Sequence, residues 1–157
     1  MEDGFTRMGA HDARTIAGSA QVAGRLRGYF GDKCDTAVVS AWLFGSHAES
    51  RAHRESDVDV AVLLDRRMVP SASERFDLRV RLTSDLIHAL GNNDIDLVVL
   101  NDAPPLFSRR IIRTGIEVFC RDRDMERDFR RDVQIRAADL APHIERYRRM
   151  TLDALGR

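Results

Sequence analysis

The sequence is poor in cysteine and has no long apolar run, and each shortage excludes a class of protein. Its two cysteines, Cys34 and Cys120, lie far apart and belong to no metal-binding motif. A reducing compartment is therefore expected, and a disulfide framework is not. No apolar run approaches the roughly 18 residues of a membrane span, and the N-terminus shows no secretory signal. The sequence therefore predicts a cytoplasmic protein.

An excess of charge of one sign is also missing. The 25 basic and 25 acidic residues balance, and every basic residue except Lys33 is an arginine. Proteins that bind nucleic acid or anionic membranes through bulk charge carry a basic excess. Direct nucleic-acid binding and membrane association are therefore not expected, whereas 43% hydrophobic residues indicate a globular chain.

Strand-like and helix-like segments alternate along the 157 residues. Short β-branched runs predict strands, and apolar residues at helical spacing predict helices. This order predicts the α+β class, with a small mixed β-sheet flanked by helices. A single domain is expected over 1–157, with its core at about 12–121 and a C-terminal helical extension at about 124–155. The expected strands are 36–44, 56–64, 94–100 and 116–120, and the expected helices are 12–30, 70–90, 105–115 and 124–155.

Several local details accompany this prediction. A loose tail is expected over 1–11, with Asp12 as the first N-cap, and Pro142 is expected to kink the last helix or divide it in two. Trp42 is expected in the core, because it lies in the middle of a strand. The apolar face of the second helix is predicted to contain Phe76, Val80, Ile87 and Leu90, and that of the last helix Phe129, Val133, Ala137, Leu140, Ile144 and Tyr147.

Two aspartates one residue apart lie at the start of the second predicted strand. Asp57 and Asp59 point to the same face, with Cα atoms roughly 6.5–7 Å apart. At an effective dielectric near 20, their carboxylates repel by roughly 2–3 kcal/mol. A divalent cation removes this penalty, and hard oxygen ligands at this spacing suit Mg²⁺ or Mn²⁺. The pair therefore predicts a metal site; the alternative is a solvated strand end.

A glycine and a serine end the preceding strand. Gly45 lets a phosphate approach the main chain without a Cβ in the way, and the Ser46 hydroxyl and the N–H groups of a following turn can hold phosphate oxygens. The alternative for Ser46, a helix N-cap, uses the same N–H groups. One element would hold a phosphate chain and the next strand the bridging metal, which is the geometry of metal-assisted nucleotidyl transfer.

A third carboxylate is expected to complete such a site. The third predicted strand supplies Asp94 and Asp96, again on one face, and from their spacing either could join the pair. This carboxylate would help to hold a second metal ion and could draw the proton from an attacking hydroxyl. Asp94 has a stronger alternative as a turn residue after Asn92 and Asn93.

The order of these motifs resembles the DNA polymerase β nucleotidyltransferase superfamily. Gly-Ser is followed after about ten residues by Ser-Asp-x-Asp, and the resemblance covers about 36–121. The segment DLVVLNDAPPLFSRRIIRTGIEVF narrows the resemblance to the minimal nucleotidyltransferases, which are MntA-type antitoxins paired with HEPN-domain toxins. The resemblance implies two Mg²⁺ ions, ATP as substrate, and transfer of AMP to a tyrosine of the partner toxin. It implies metal binding and catalysis by Asp57, Asp59 and Asp96, and triphosphate binding by Gly45 and Ser46.

The sequence departs from the resembled family beside the phosphate motif. The family often reads G-S-x-A-R-G, whereas Glu49 and Ser50 stand here in place of the arginine and the glycine. A lost positive charge would weaken nucleotide binding, and a lost glycine would stiffen the loop. His47 and His53 are expected to be loop histidines near the site. Weaker candidates for contact with ATP or the partner are Arg51, Arg54, Arg109, Arg110 and Arg113.

Three functions remain open at this point. The first is an adenylyltransferase antitoxin that forms a hetero-oligomer with its HEPN toxin. The second is a noncatalytic module that neutralises the toxin by contact, and Glu49 and Ser50 are its main support. The third is a nucleotidyltransferase with a small-molecule acceptor, which the short segment after the last strand disfavours. The arginine-rich last helix is either a docking helix or a solvated face.

Overall fold

The computed structural model describes residues 7–49 and 56–155, with side chains between 18 and 151 in those ranges. Within them, the helices and strands follow the predicted order, which confirms the α+β class. Short 3₁₀ turns follow the first strand at Gly45–His47 and the third at Leu100–Asp102. The elements are α1 (Arg7–Asp32), β1 (Val38–Phe44), β2 (Val58–Leu64), α2 (Ala72–Leu90), β3 (Ile95–Val99), α3 (Pro105–Thr114), β4 (Ile116–Cys120) and α4 (Arg123–Leu155).

The strands form one mixed sheet in the order β3-β2-β1-β4. β1 is antiparallel to both β2 and β4, whereas β2 and β3 are parallel. The C-terminal end of β1 therefore lies beside the N-terminal ends of β2 and β3. In this register Phe44 is opposite Asp59, and Asp59 is beside Asp96. One end of the sheet thus gathers the segments that contain the predicted motifs.

Helices cover both faces of this sheet. α1 and α2 pack on the face that includes Val58 and Val62 of β2. On the opposite face, Trp42 and Ala61 pack with Ile111 of α3. Trp42 is 1% exposed, which confirms its predicted place in the core. The two central strands, β1 and β2, are buried along most of their length on both faces, because helices cover each face.

α1 begins earlier than predicted. It starts at Arg7, so Asp12 lies inside the helix rather than at its N-cap, and the expected tail does not include residues 7–11. Arginine, methionine and alanine in this stretch favour helix, and no proline interrupts it.

Local capping signals explain the bounds of α2, which agree with the prediction. The Ser71 hydroxyl accepts a hydrogen bond from the Glu74 N–H, and the Glu74 carboxylate accepts one from the Ser71 N–H. This reciprocal pairing is a capping box. At the other end Gly91 adopts the left-handed conformation that commonly closes a helix.

The buried face of α2 differs from the prediction. Phe76 and Val80 are 58% and 53% exposed, and Ile87 is only half-buried. A second stripe, spaced by four residues, faces the sheet instead. Both stripes fit the helical period, so periodicity alone cannot decide which one packs. The buried stripe consists of Leu78, Leu82, Leu86 and Leu90, of which only Leu90 agrees with the prediction.

α4 is one helix that continues through Pro142. Of the two predicted outcomes, the division in two is therefore wrong, and the kink stays a prediction. The first half of α4 packs on α3 and buries Val133 and Ala137. All side chains described from 138 to 151 are exposed, because no described part of the chain covers this half. The predicted core positions Leu140, Ile144 and Tyr147 are therefore exposed. In the described part of the chain, no helix combines the length and apolar character needed to span a bilayer.

A buried arginine joins the start of α2 to the segment after β3. The Nε and Nη2 atoms of Arg75 donate to the two carboxylate oxygens of Asp102 at 2.8 and 2.6 Å. Its Nη1 donates to the carbonyl oxygens of Val69 and Pro70. The hydrogen bonds from Arg75 to the Asp102 carboxylate hold the pKa of Asp102 below its ordinary value. Because an unpaired buried guanidinium is costly, the contact keeps these segments in a fixed relation.

Candidate functional site

The residues predicted to bind metal lie at one end of the sheet. Asp59 and Asp96 are register neighbours on parallel strands, so their Cα atoms are about 4.8 Å apart and their side chains share a face. Asp57 lies just before the start of β2, and its charge acts on Asp59. Gly45 follows the end of β1, opposite the start of β2. The tertiary structure therefore brings the three carboxylates and the phosphate motif together.

The turn after β1 requires glycine at position 45. Gly45 has φ 68°, and its carbonyl oxygen accepts hydrogen bonds from the N–H groups of Ala48 and Glu49 at 3.2 and 3.1 Å. A Cβ at this position would lie 2.9 Å from the Asp59 Cγ and overlap a carboxylate oxygen. The glycine thus lets the main chain of the turn approach Asp59. Ser46, the other predicted phosphate contact, is the next residue of this turn and is partly exposed.

The electrostatics of Asp59 show that the carboxylates interact. Burial raises the pKa of Asp59 above its ordinary value, and the negative charges of Asp96 and Asp57 raise it further. The nearby His47 has the opposite, smaller effect. A cation between the carboxylates would relieve this repulsion.

The side chains of the three aspartates are of the type that binds a divalent cation. Carboxylate oxygens are the hard ligands that Mg²⁺ prefers. As the side chains are placed, no three His, Cys, Asp or Glu side chains among those described, in residues 18–49 and 56–151, form a group that could hold an ion. Asp96 is 62% exposed, and its Oδ1 faces the Nη2 of Arg79 at 4.0 Å. Ion binding therefore requires exposed carboxylates, that of Asp96 among them, to rotate toward Asp59.

His47 is buried rather than exposed in a loop. Its side chain is 7% exposed, and neither ring nitrogen has a hydrogen-bond partner among the residues that the structure describes. It belongs to the same turn as Gly45, which approaches the Asp59 carboxylate. His47 is therefore a turn histidine near the site, as expected, with a buried side chain. His53 lies outside the described residues.

The departure from the family motif at position 49 is accompanied by an ion pair with α3. The Glu49 Oε1 accepts a hydrogen bond from the Arg110 Nη2 at 3.2 Å. Both residues line a cavity of about 170 Å³ with Gly45 and Phe107. Arg110 therefore brings a guanidinium beside the predicted phosphate turn from a different element. The predictions for Ser50, Arg51 and Arg54 lie outside the described residues.

Replacing Glu49 with glutamine is expected to tighten nucleotide binding. The substitution keeps the side-chain size, removes a negative charge that would face the phosphates, and releases Arg110 to bind them. We expect the dissociation constant of a nonhydrolysable ATP analogue with Mg²⁺ to fall by about three- to tenfold in calorimetry. Glu117→Gln is the matched control, because Glu117 is paired with Arg123 at the far edge of the sheet. An unchanged or weaker affinity of Glu49→Gln would show that Arg110 does not contact the phosphates.

Two further side chains near the site escaped sequence reasoning. Arg79 of α2 faces Asp96, and Phe107 of α3 packs edge-on against Phe44 with ring centroids 5.9 Å apart. No local motif marks either residue, because both reach the site only through packing of their helices.

Three other candidate residues lie in a turn and on α3. Asp94 is an exposed residue just before β3; its N–H donates to the Asn92 side chain, and its carbonyl oxygen accepts from the Val58 N–H. This is the predicted alternative of a turn residue. Arg109 and Arg113 line a different cavity, between α3 and α4.

Comparison with known protein families and curated proteins gives two matches. The family described as polymerase beta, nucleotidyltransferase, matches residues 30–124. The protein adenylyltransferase MntA of Shewanella oneidensis is 32% identical over 85 residues, which are 54% of this chain and 56% of that protein. The chain therefore spans about half the length of this curated relative.

Solved structures share the fold at low sequence identity. A toxin-antitoxin crystal structure with AMP-PNP has a TM-score of 0.55 and 23% identity, covering 86% of this chain and 98% of that one. The MntA-HepT toxin-antitoxin structure has a TM-score of 0.52 and 20% identity, and the match covers 88% of this chain and 99% of that one. A tri-AMPylated Shewanella oneidensis HEPN toxin in complex with MNT antitoxin has a TM-score of 0.51 and 20% identity, covering 88% and 99%. These similarities establish the fold around the site.

Proposed function

Because the chain belongs to the polymerase β nucleotidyltransferase family, we propose that it transfers AMP from ATP to a tyrosine hydroxyl of a partner HEPN-domain toxin and so acts as an antitoxin. The observation that carries the proposal is the approach of the Gly45 turn to Asp59, beside Asp96 on the next strand. The curated relative is named a protein adenylyltransferase, and the structural neighbours include a tri-AMPylated toxin with its antitoxin. The whole chain would act as one domain, in the cytoplasm, in complex with the toxin.

Each residue of the site has a role in this proposal. Gly45 and Ser46 would hold the triphosphate through main-chain N–H groups and the serine hydroxyl. Asp57, Asp59 and Asp96 would hold two Mg²⁺ ions. When bound, these ions neutralise the phosphate charge and that of the three carboxylates.

The proposed step exchanges one bond for another at the α-phosphorus of ATP. The tyrosine oxygen forms a bond to this phosphorus, and the bond to the bridging oxygen of pyrophosphate breaks, so that pyrophosphate leaves with the electron pair. The tyrosine proton passes to the Asp96 carboxylate. Asp96 lies on the edge strand β3 and is more accessible to an acceptor than its neighbour Asp59 on β2.

One observation favours a second candidate, a module that neutralises the toxin by contact alone. Glu49 places a negative charge where related proteins often have an arginine, and it lies in the same turn as Gly45. If this charge prevents ATP binding, the fold would still present a surface for the toxin.

Intact-mass measurement separates these candidates. The purified cognate HEPN-domain toxin is incubated with this protein, ATP and Mg²⁺. Transfer predicts a gain of one or more AMP units, and Asp57→Ala should abolish the gain while the complex still forms. An unchanged toxin mass with a stable complex would support the contact mechanism. Full protection of cells by Asp57→Ala would also rule out catalysis as the antitoxin mechanism.

A further inference from the structure

A groove of about 480 Å³ runs along the outer side of β3 and reaches Asp96. β3 is an edge strand of the sheet, so the groove opens between α2, which covers one face, and α3, which covers the other. Its volume lies within the range of about 300–1,000 Å³ that is typical of ligand pockets. Apart from Asp96, none of the residues assigned to the metal or the phosphates lines this space.

Two exposed aromatic rings line the groove from opposite sides. Phe76 projects from α2 and is 58% exposed, and Phe107 projects from the start of α3 and is 39% exposed. Exposed rings on both walls of one cleft indicate a partner that is flat and apolar. The wall on the α2 side is held in place by Arg75, which is paired with Asp102.

The charges of the groove do not suit a phosphate. Its charged lining residues are two arginines and two aspartates. Arg75 is engaged in four hydrogen bonds, two of them to Asp102, and Arg79 faces Asp96. The groove is therefore neutral overall, and neither guanidinium in it is unopposed. An uncharged aromatic occupant fits these walls better than the anionic part of a nucleotide.

The geometry of the proposed reaction indicates which group would occupy the groove. In phosphoryl and nucleotidyl transfer the attacking and leaving oxygens are roughly in line across the phosphorus. If Gly45 and Ser46 hold the phosphates that leave, the acceptor must approach from the opposite side. The phosphate turn follows β1, and β3 lies on the other side of β2. A hydroxyl that approaches from the side of β3 meets Asp96 first.

We propose that this groove binds the acceptor tyrosine of the partner protein, with its ring between Phe76 and Phe107 and its hydroxyl directed at Asp96. The inference rests on the proposed function, and it names the part of the site that selects an aromatic acceptor. The two phenylalanines are specificity residues in this arrangement. Serine and threonine, which lack a ring, would leave both phenylalanines exposed.

A matched pair of substitutions on α2 tests the groove. Phe76 and Val80 are similarly exposed and one helical turn apart, but only Phe76 lines the groove. We expect Phe76→Ala to raise the KM for the toxin about tenfold, as loss of a ring contact does at a binding hot spot. Val80→Ala should change it less than about twofold. The dissociation constant of AMP-PNP should be unchanged in both variants.

Photo-cross-linking tests the groove without requiring catalysis, so that the groove and the proposed AMP transfer are tested separately. In an Asp57→Ala background, p-benzoylphenylalanine replaces Phe76 or Val80, and irradiation with the toxin is followed by mapping of cross-linked peptides. Cross-linking from position 76 to the peptide with the acceptor tyrosine, and not from position 80, supports the groove even if no AMP is transferred. Transfer of AMP by the wild-type protein without this cross-link would overturn the groove and leave the proposed function intact. Weaker AMP-PNP binding by Phe76→Ala would overturn it in favour of an adenine site.

Discussion

Replacing Asp59 with asparagine is expected to abolish AMP transfer without destabilising the fold. Asparagine keeps the shape of the side chain but removes the charge that would hold a cation between β2 and β3. We expect the rate to fall by at least about 10³-fold, measured by the mass of the toxin. Because burial and the charges of Asp96 and Asp57 oppose ionisation of Asp59 in the folded protein, the midpoint of thermal unfolding should stay the same or rise.

The stability difference should depend on pH in one direction. The folded-state pKa of Asp59 is raised above 3.8, so the penalty is full at pH values above the raised pKa and absent below 3.8. Asp59→Asn should therefore be most stabilised relative to the wild-type protein near neutral pH, and the two should converge in acid.

A control substitution distinguishes the site from its surroundings. Asp94→Asn makes the same chemical change at an exposed turn residue two positions before Asp96. We expect it to retain activity within about twofold. Transfer that survives Asp59→Asn, or is lost in Asp94→Asn, would mean that the wrong carboxylates have been assigned.

Replacing Gly45 with alanine is expected to disrupt the phosphate turn. The left-handed φ costs alanine about 1 kcal/mol, and the new Cβ would overlap the Asp59 carboxylate. Either the turn or Asp59 must move, and each movement separates the predicted phosphate contact from the predicted metal ligand. We expect AMP-PNP affinity to fall by at least about 100-fold in calorimetry.

Gly91→Ala separates the overlap from the backbone strain. Gly91 has φ 61°, but no atom lies within 4 Å of a Cβ built there. This variant should lose about 1 kcal/mol in the free energy of unfolding and keep its affinity for AMP-PNP. Equal affinity losses in the two glycine variants would show that general destabilisation, rather than contact with Asp59, explains the effect.

Much of the fold could be predicted because its signals are local. The capping box at Ser71 and the glycine at 91 set the bounds of α2 through hydrogen bonds that span a few residues. The alternation of side chains along a strand predicts one face for Asp57 and Asp59, although Asp57 lies just before the start of β2. The start of α1 could not be predicted in the same way, because Asp12 is acceptable inside a helix as well as at its N-cap.

Faces of helices were harder to predict, because they depend on what the helix meets. α2 has two stripes at helical spacing, and the leucine stripe is buried because the sheet and α1 lie on that side. The second half of α4 has a regular apolar stripe but no described neighbour, so Leu140 and Tyr147 are exposed.

The sequence by itself determined the strand and helix order and a set of candidate ligands, because motif spacing and side-chain alternation are properties of short segments. Only the tertiary structure decided which groups meet at the candidate site. Arg79 lies 17 positions before Asp96, and Arg110 lies 61 positions after Glu49. Contacts over such separations depend on the strand order and on helix packing, and no local pattern encodes them. The groove beside Asp96 also depends on the strand order, because β3 is an edge strand.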